Sequence, residues 1–243
     1  MKYNFGLVVP LANESADFNI FVKALKSTFN KLDCGTIYFI IDKASRDNTL
    51  ELSKELSKND NRFVTLWAPE NKNIVDAYIR GYKEALKNKH DFIIEMDAGM
   101  SHDPSAIPQF LRVLNEGNEC AFGSRFINGG SIFQSNLKRS FLSRSGTILS
   151  NILLGTKLKD ATSGFQGFHA DIVEKFVSYP LLSKAHFYQT ELRYLLRETR
   201  FIEVPIHYRA PSPSVSKKAI KNSFAVLGYY LVLRIKLQPA IIQ

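Results

Sequence analysis

Several features that fix a structure or betray a function are scarce in this 243-residue chain. It has two cysteines, Cys34 and Cys120, far apart and without metal-ligand spacing. That argues against a disulfide framework or a cysteine-held metal, and both read as reduced core residues, which favours a reducing compartment. No apolar run is long enough to cross a bilayer as a helix: the stretch Phe224–Leu233 has ten residues, about half of what a span needs. No signal-peptide pattern is read where Met1-Lys2 leads into a strand-like segment. No G-x-G-x-x-G follows the first strand and no G-x-x-x-x-G-K-[ST] occurs, which excludes a dinucleotide fingerprint and a P-loop. Internal repeats, low-complexity tracts and a clear linker are also missing. Acidic residues are in deficit, 23 against 32 Lys and Arg, leaving a net charge of +9. Such an excess suits phosphorylated substrates or an anionic membrane surface. Nucleic acid is not expected, because the basic residues are scattered and no nucleic-acid-binding motif occurs.

What is present is an alternation. Strands are expected at Phe5–Val9, Thr36–Ile41, Phe63–Trp67, Phe92–Met96, Cys120–Gly123 and Phe201–Tyr208, all rich in Val, Ile, Phe and Tyr. Between the early ones Phe18, Phe21, Val22, Leu25, Phe29 and Leu32 recur at helical spacing. Asn48-x-x-Glu51 offers a capping box for a second helix, and Ile74, Ala77, Tyr78, Gly81, Tyr82 and Ala85 mark a third. Further helices are expected at Leu137 to Leu154, at Tyr188–Glu198 and from Lys217 to Leu237. This β-α-β-α order predicts an α/β fold with a mostly parallel, Rossmann-like sheet and helices on both faces. One domain over 1–216 is expected, followed at 217–243 by an amphipathic helix. That tail either lies on a membrane surface, basic ends at the headgroups, or packs on the core.

In such sheets ligands gather at the carboxyl ends of the strands. Three polar clusters fall there: Pro10–Glu14, Asp42–Thr49 and Asp97–Pro104. A single crevice can collect all three. No ligand-spaced set of histidines accompanies them.

These clusters and several later motifs together resemble family-2 glycosyltransferases with a GT-A fold, and within them the polyprenyl-phosphate branch that includes dolichol-phosphate mannose synthases. Pro10-Leu11-Ala12-Asn13-Glu14 matches P-x-Y-N-E, and Asp42 to Thr49 matches D-D-G-S-x-D-G-T. Met96-Asp97-Ala98-Gly99-Met100-Ser101-His102-Asp103-Pro104 matches M-D-A-D-L-S-H-x-P. Gly123-Ser124-Arg125-Phe126, Lys138-Arg139, Ser143-Arg144, Asp160 to Phe165, Tyr188-Gln189-Thr190-Glu191, Glu203-Val204-Pro205-Ile206 and Ser216-Lys217 follow in family order. The likeness runs from Val8 to about Lys217.

The resemblance implies transfer of a sugar, mannose by default, from a nucleotide-sugar donor to a polyprenyl-phosphate acceptor, with inversion, at the cytoplasmic membrane face. A peripheral membrane contact, or a membrane-protein partner, follows from it. Pro10, Glu14 and Asp42 would hold the nucleoside, and Asp97 would face the diphosphate or its Mg²⁺ or Mn²⁺. Arg125, Arg139, Ser143 and Lys217 would take the acceptor phosphate, with catalysis resting on Asp97, Arg125 and Arg139. A phosphate nucleophile is already ionised near neutral pH, so orienting cations matter more than a strong base, and arginine presents a planar fork to phosphate oxygens. Gln189 and Glu191 would face the sugar or acceptor pocket, and Arg209 would assist the donor phosphates. The chain departs from the family on the donor side: Ala12 for an aromatic residue, Lys43 for the second Asp of its motif, and Gly99 for the second metal Asp. Asp103 is the candidate for the missing oxygen. Metal-light catalysis through Lys43 or Arg209, a glycan acceptor, and a degenerate binding module are the alternatives left open.

Overall fold

The computed structural model describes residues 3–32, 34–133, 137–209 and 217–236, with the side chains of 137–142 and 217–218 outside the described set. Its centre is a seven-stranded sheet in the order β3-β2-β1-β4-β7-β5-β8. The strands are β1 (Phe5–Leu11), β2 (Thr36–Ile41), β3 (Phe63–Trp67), β4 (Phe92–Glu95), β5 (Cys120–Ser124), β7 (Gln166–His169) and β8 (Phe201–Pro205). A small second ladder pairs β6 (Ser131–Ile132) with β9 (His207–Tyr208). All pairings in the large sheet are parallel except those of β7, which runs antiparallel to both β4 and β5.

Period-two alternation sends β1 to two cores. Val8 joins Tyr38, Ile40 and Ile93 on one face, while Leu7 and Val9 join Phe39, Ile41 and Ile94 on the other. Helices α1 (Phe18–Phe29) and α4 (Ile107–Asn115) cover the second face, and α2 (Thr49–Asn59) packs beside it. Helices α3 (Ile74–Lys87), α6 (Ala170–Val177), α7 (Tyr188–Leu195) and α8 (Lys217–Ile235) cover the first. Helix α5 (Leu137–Leu154) lies against α8. Burying both faces explains why β1 and β2 are apolar at nearly every position.

Strands β2 and β3 and helix α5 have the expected bounds. The expected strand Phe201–Tyr208 is divided into β8 and β9, because the chain changes partner at Ile206: its N–H still pairs with Ser124 O at 3.1 Å, while its O accepts from Ser131 N at 3.0 Å and starts the ladder with β6. Strand β7, which the sequence reading did not contain, is placed by Phe165 O accepting from Gly123 N at 2.8 Å. The expected capping box also differs. Asn48 is the residue before α2 but makes no side-chain cap, and Asp47 Oδ1 instead accepts from Thr49 N at 3.1 Å. The tail helix ends at Ile235 and buries Val226, Leu227 and Tyr230 against the core. Its other face leaves Ile220, Phe224, Tyr229, Val232 and Ile235 exposed. The packing on the core is thus observed for one side of the tail.

Candidate active site

Parallel strands β1, β2 and β4 deliver their following loops to one edge of the sheet. Because β7 is antiparallel, the loop that enters it, Asp160 to Phe165, reaches the same edge. Crossing of these four loops makes the crevice.

The first two loops are bonded into one unit. Asn13, in a left-handed conformation at φ 59°, receives Arg46 N at 2.9 Å and donates to Ala44 O at 3.2 Å. Asp47 accepts from Ser15 N at 2.9 Å and Thr49 Oγ1 at 2.6 Å. Burial pushes Asp47 up, but these bonds outweigh it and hold the carboxyl below its ordinary value. Asp42 accepts from Ala44 N at 2.8 Å. Pro10 is buried in β1 beside Ile40 of β2, so it shapes this loop from beneath. Lys43 is exposed.

Asp97 stands at the floor. Its Oδ1 accepts from Tyr78 of α3 at 2.6 Å, and its Oδ2 lies 3.9 Å from His102 Nδ1. His102 is buried, with both ring nitrogens unpaired, between the rings of Phe165 and Tyr208. Burial pushes its pKa down to about 4, so it is neutral. Gly164 packs directly on Asp97: a Cβ there would meet Asp97 Oδ2 at 2.5 Å.

Gly99 occupies the position where the resemblance expects a second carboxylate. It is left-handed at φ 70°, as is Met100 at φ 60°. A side chain starting from Gly99 would meet Glu14 Oε2 at 3.0 Å and Oε1 at 3.4 Å. The Glu14 carboxylate therefore fills the space that residue 99 leaves. It accepts no hydrogen bond among the described residues. Burial raises its pKa, with Asp17, Asp47 and Asp97 adding to the effect, which marks a local excess of negative charge. Hard divalent cations that bridge phosphates take one or two carboxylates from the protein. Asp97 and Glu14, on either side of Gly99, fit that requirement. Among the described residues no three His, Cys, Asp or Glu side chains form a ready-made cage, and a diphosphate would have to supply the remaining oxygens.

Asp103 does not fill the gap expected of it. Its Oδ1 caps the 3-10 turn Pro104–Ala106 through Ser105 N at 3.0 Å, and its Oδ2 is held by Arg209 Nη2. Arg209, whose N–H also reaches Ser101 O at 3.0 Å, is thereby neutralised at the rim.

On the other side Arg125 is buried and grips Asp160 with two donors, Nε to Oδ2 at 2.7 Å and Nη2 to Oδ1 at 2.8 Å. Nη2 also donates to Thr162 Oγ1 at 2.6 Å. Burial opposes both charges, but the pair prevails: Asp160 lies below and Arg125 above its ordinary pKa. None of these bonds uses Arg125 Nη1. The guanidinium sits 5.2 Å from the ring centre of Phe126, and Arg144 of α5 lies 4.8 Å from the same ring. Ser143 precedes it, half-buried. A hollow of about 260 Å³ opens here between Phe126, Arg144, Ile148 and Lys159. Arg139 lies on α5 and Lys217 begins α8, but both side chains are outside the described residues.

Two expected pocket residues have internal positions. Glu191 is fully buried, and its oxygens accept from Leu182 N, Ser183 N and Tyr230 Oη, each at 2.8 Å. It ties α7 to α8 and has no oxygen turned to a ligand, which corrects the expectation of a pocket-facing carboxylate. Gln189 is buried with Oε1 unpaired. Groups the sequence reading passed over lie beneath the floor: Glu95, Gln166 and Arg193, all buried. A charged residue inside the apolar run Asp91 to Met96 was the available signal for the first.

This arrangement is a crevice at the carboxyl edge of a mostly parallel sheet, with an acidic floor and a buried arginine opposite. Solved structures agree on the architecture. Glucosyl-3-phosphoglycerate synthase from Mycobacterium tuberculosis with bound UDP superimposes with a TM-score of 0.67 at 13% identity, covering 95% of this chain and 80% of that one. The same enzyme with Mn²⁺, UDP and glucosyl-3-phosphoglycerate gives 0.67 at 13% identity, covering 98% and 81%. Residues 7–177 match the family described as Glycosyl transferase family 2. The chain belongs to that family and is a glycosyltransferase. Among its curated relatives are a polyprenol monophosphomannose synthase of Mycolicibacterium smegmatis, 26% identical over 89% of this chain and 81% of that protein, and an undecaprenyl-phosphate mannosyltransferase of Micrococcus luteus, 26% identical over 83% and 82%.

Proposed function

We propose that the protein transfers a sugar, mannose in the first instance, from a nucleotide donor to the phosphate of a polyprenyl phosphate at a membrane surface. The observation that carries this reading is that two curated relatives, matched over 81% and 82% of their own lengths, are named for mannosyl transfer to a polyprenyl phosphate; the buried Arg125–Asp160 pair supports it. A phosphate oxygen of the acceptor attacks the anomeric carbon, the bond from that carbon to the donor diphosphate breaks, and the nucleoside diphosphate leaves with the bonding electrons, inverting the centre. The ionised nucleophile needs no proton removed, so the protein's work is orientation and charge neutralisation.

Asp160 holds Arg125 in one rotamer, leaving Nη1 to meet the acceptor phosphate. By the family resemblance, Arg139, Ser143 and Lys217 are the further candidates for that phosphate. The hollow beside Phe126 and Ile148 suits the first isoprene unit, with Arg144 at its edge. Gln189, with an unpaired buried oxygen, is the candidate for a sugar hydroxyl. On the donor side Asp42 and Pro10 shape the nucleoside end. Asp97 and Glu14 would hold a divalent cation, which neutralises charge on the departing diphosphate. Glu14 thus stands in for the carboxylate missing at Gly99. Exposed Ile148, Ile152, Phe224, Val232 and Ile235 on α5 and α8, bordered by Lys221, Arg234 and Lys236, would face the bilayer at its cytoplasmic side.

A donor screen with a short polyprenyl phosphate, with and without Mn²⁺ or Mg²⁺, tests the reading. The expected result is metal-dependent transfer that Arg139→Ala abolishes while nucleotide binding survives. Nucleotide binding without turnover on any acceptor would instead identify a binding module. For the cation, Glu14→Gln and Asp97→Asn should each weaken Mn²⁺ binding measured by electron paramagnetic resonance. Gly99→Asp should restore it in a Glu14→Ala background, where the space beside residue 99 is vacated; failure to restore would show that Glu14 is not the replacement.

A further inference from the structure

Beneath the crevice runs a line of buried polar side chains that no transferred group can touch. Glu95, the last residue of β4, is fully buried. Its Oε2 accepts from the hydroxyls of Tyr82 and Tyr188, and its Oε1 accepts from Gln166 Nε2 at 2.6 Å. Toward the donor side, the Tyr78 ring lies 5.1 Å from that of Tyr188 and 6.5 Å from that of Tyr82, and its hydroxyl donates to Asp97. Toward the acceptor side, Gln166 Oε1 accepts from Arg193 Nε at 2.9 Å. Arg193, 1% exposed, donates to the backbone oxygens of Asp160 and Ser163, and the Asp160 carboxylate grips Arg125. One carboxylate thus links both sides of the site.

A core of apolar residues would be at least as stable, since a buried carboxylate and guanidinium each carry a desolvation cost that their partners only offset. The arrangement is also directional. As placed, all three groups facing Glu95 donate to it, an arrangement that an ionised carboxylate, which only accepts, satisfies at once; burial raises its pKa to about 7, and the three bonds act in the opposite direction. Such a connected network holds its members in one arrangement more firmly than separate pairs would.

We infer that Glu95 is a positioning residue for sugar transfer: through Tyr82, Tyr188 and Tyr78 it sets Asp97, and through Gln166 and Arg193 it sets Asp160 and Arg125. It keeps the diphosphate-facing and phosphate-facing groups in register without touching either substrate. This inference rests on the division of the crevice proposed above.

The test compares Glu95→Gln, Tyr78→Phe and the double variant in the full chain, by steady-state kinetics with the acceptor that the wild type uses and by thermal melting. An amide at 95 removes the charge at the centre of the network and places an N–H₂ where partners now donate, so those partners must reorient, whereas Tyr78→Phe removes only the last bond to Asp97. Misplacement of reacting groups by a fraction of an ångström is expected to lower kcat by roughly 10- to 100-fold in Glu95→Gln, with both KM values within about threefold, and by less in Tyr78→Phe. Because both changes act on one connected unit, the double variant should be no slower than Glu95→Gln alone. A Glu95→Gln protein with wild-type kcat, rate losses that multiply, or a loss that only follows the unfolded fraction would each overturn the assignment. If Glu95→Gln does not fold, a Tyr78→Phe protein that melts normally yet keeps wild-type kcat overturns it equally. Absence of transfer to polyprenyl phosphate by the wild type would count against the proposed acceptor and not against Glu95.

Discussion

Arg125 and Asp160 show how much a single buried pair settles. Each charge alone would be costly in this interior, and the two-donor grip makes the pair tolerable. Removing one partner leaves the other uncompensated, so Asp160→Asn is expected to destabilise the fold by about 3–5 kcal/mol, read from urea unfolding at neutral pH. The pair also sets a pH dependence. The Asp160 carboxyl is lowered in the folded state from an ordinary value of 3.8. Its stabilisation is therefore complete above that value and is lost as pH falls through the folded-state pKa. Acid unfolding curves should show a steeper loss below about pH 4 in the wild type than in Asp160→Asn, and identical slopes would show that Asp160 is not linked to folding. Gly164 makes a second case. With Asp97 Oδ2 2.5 Å from where its Cβ would stand, Gly164→Ala must push the Asp97 carboxylate aside. Loss of transfer with little change in melting temperature is expected, and full activity would show that Asp97 has room to move.

At the level of elements, strand and helix positions on the parallel half were legible because apolar periodicity there is strong and both sheet faces are buried. The second half was harder. Strand β7 is four residues long, follows a polar loop, and is defined by partners on both sides, none of which periodicity encodes. The polar line beneath the floor was hidden for a related reason. Tyr78 and Tyr82 read as members of an apolar helix face, which they are, and only the fold reveals that their hydroxyls meet Asp97 and Glu95. The ends of the parallel strands put the loops of Glu14, Asp42 and Asp97 at one edge, but motif spacing could not show that Asp103 would turn to Arg209, since that needs the end of β9 brought beside the Asp97 loop. Helices α5 and α8 also carry a prediction. Phe224 is 62% and Ile235 70% exposed, so Phe224→Asp with Ile235→Asp should leave melting unchanged. Binding to vesicles containing anionic lipid should fall severalfold in a sedimentation assay. Undiminished binding would place the membrane contact elsewhere on the surface.

The whole molecule sorts its charges across the crevice. Overall it is basic, at +9, yet Glu14, Asp17, Asp47 and Asp97 cluster on the donor side while Arg125 and Arg144 stand on the other. A diphosphate brought against that acidic cluster needs a cation, and a monoester phosphate brought against the arginines does not. On the proposed reading, the departures at Ala12, Lys43 and Gly99 fall on the donor side and leave the acceptor side intact, and Glu14 beside Gly99 offers the floor a second carboxylate. The account turns on whether the acceptor is recognised by its phosphate. Product analysis of labelled sugar transfer from GDP-mannose, comparing a short polyprenyl phosphate with the corresponding polyprenol, measures this directly. Label should enter an organic-soluble, mild-acid-labile product with the phosphate and not with the alcohol; equal transfer to both, or transfer to saccharide acceptors alone, would contradict it.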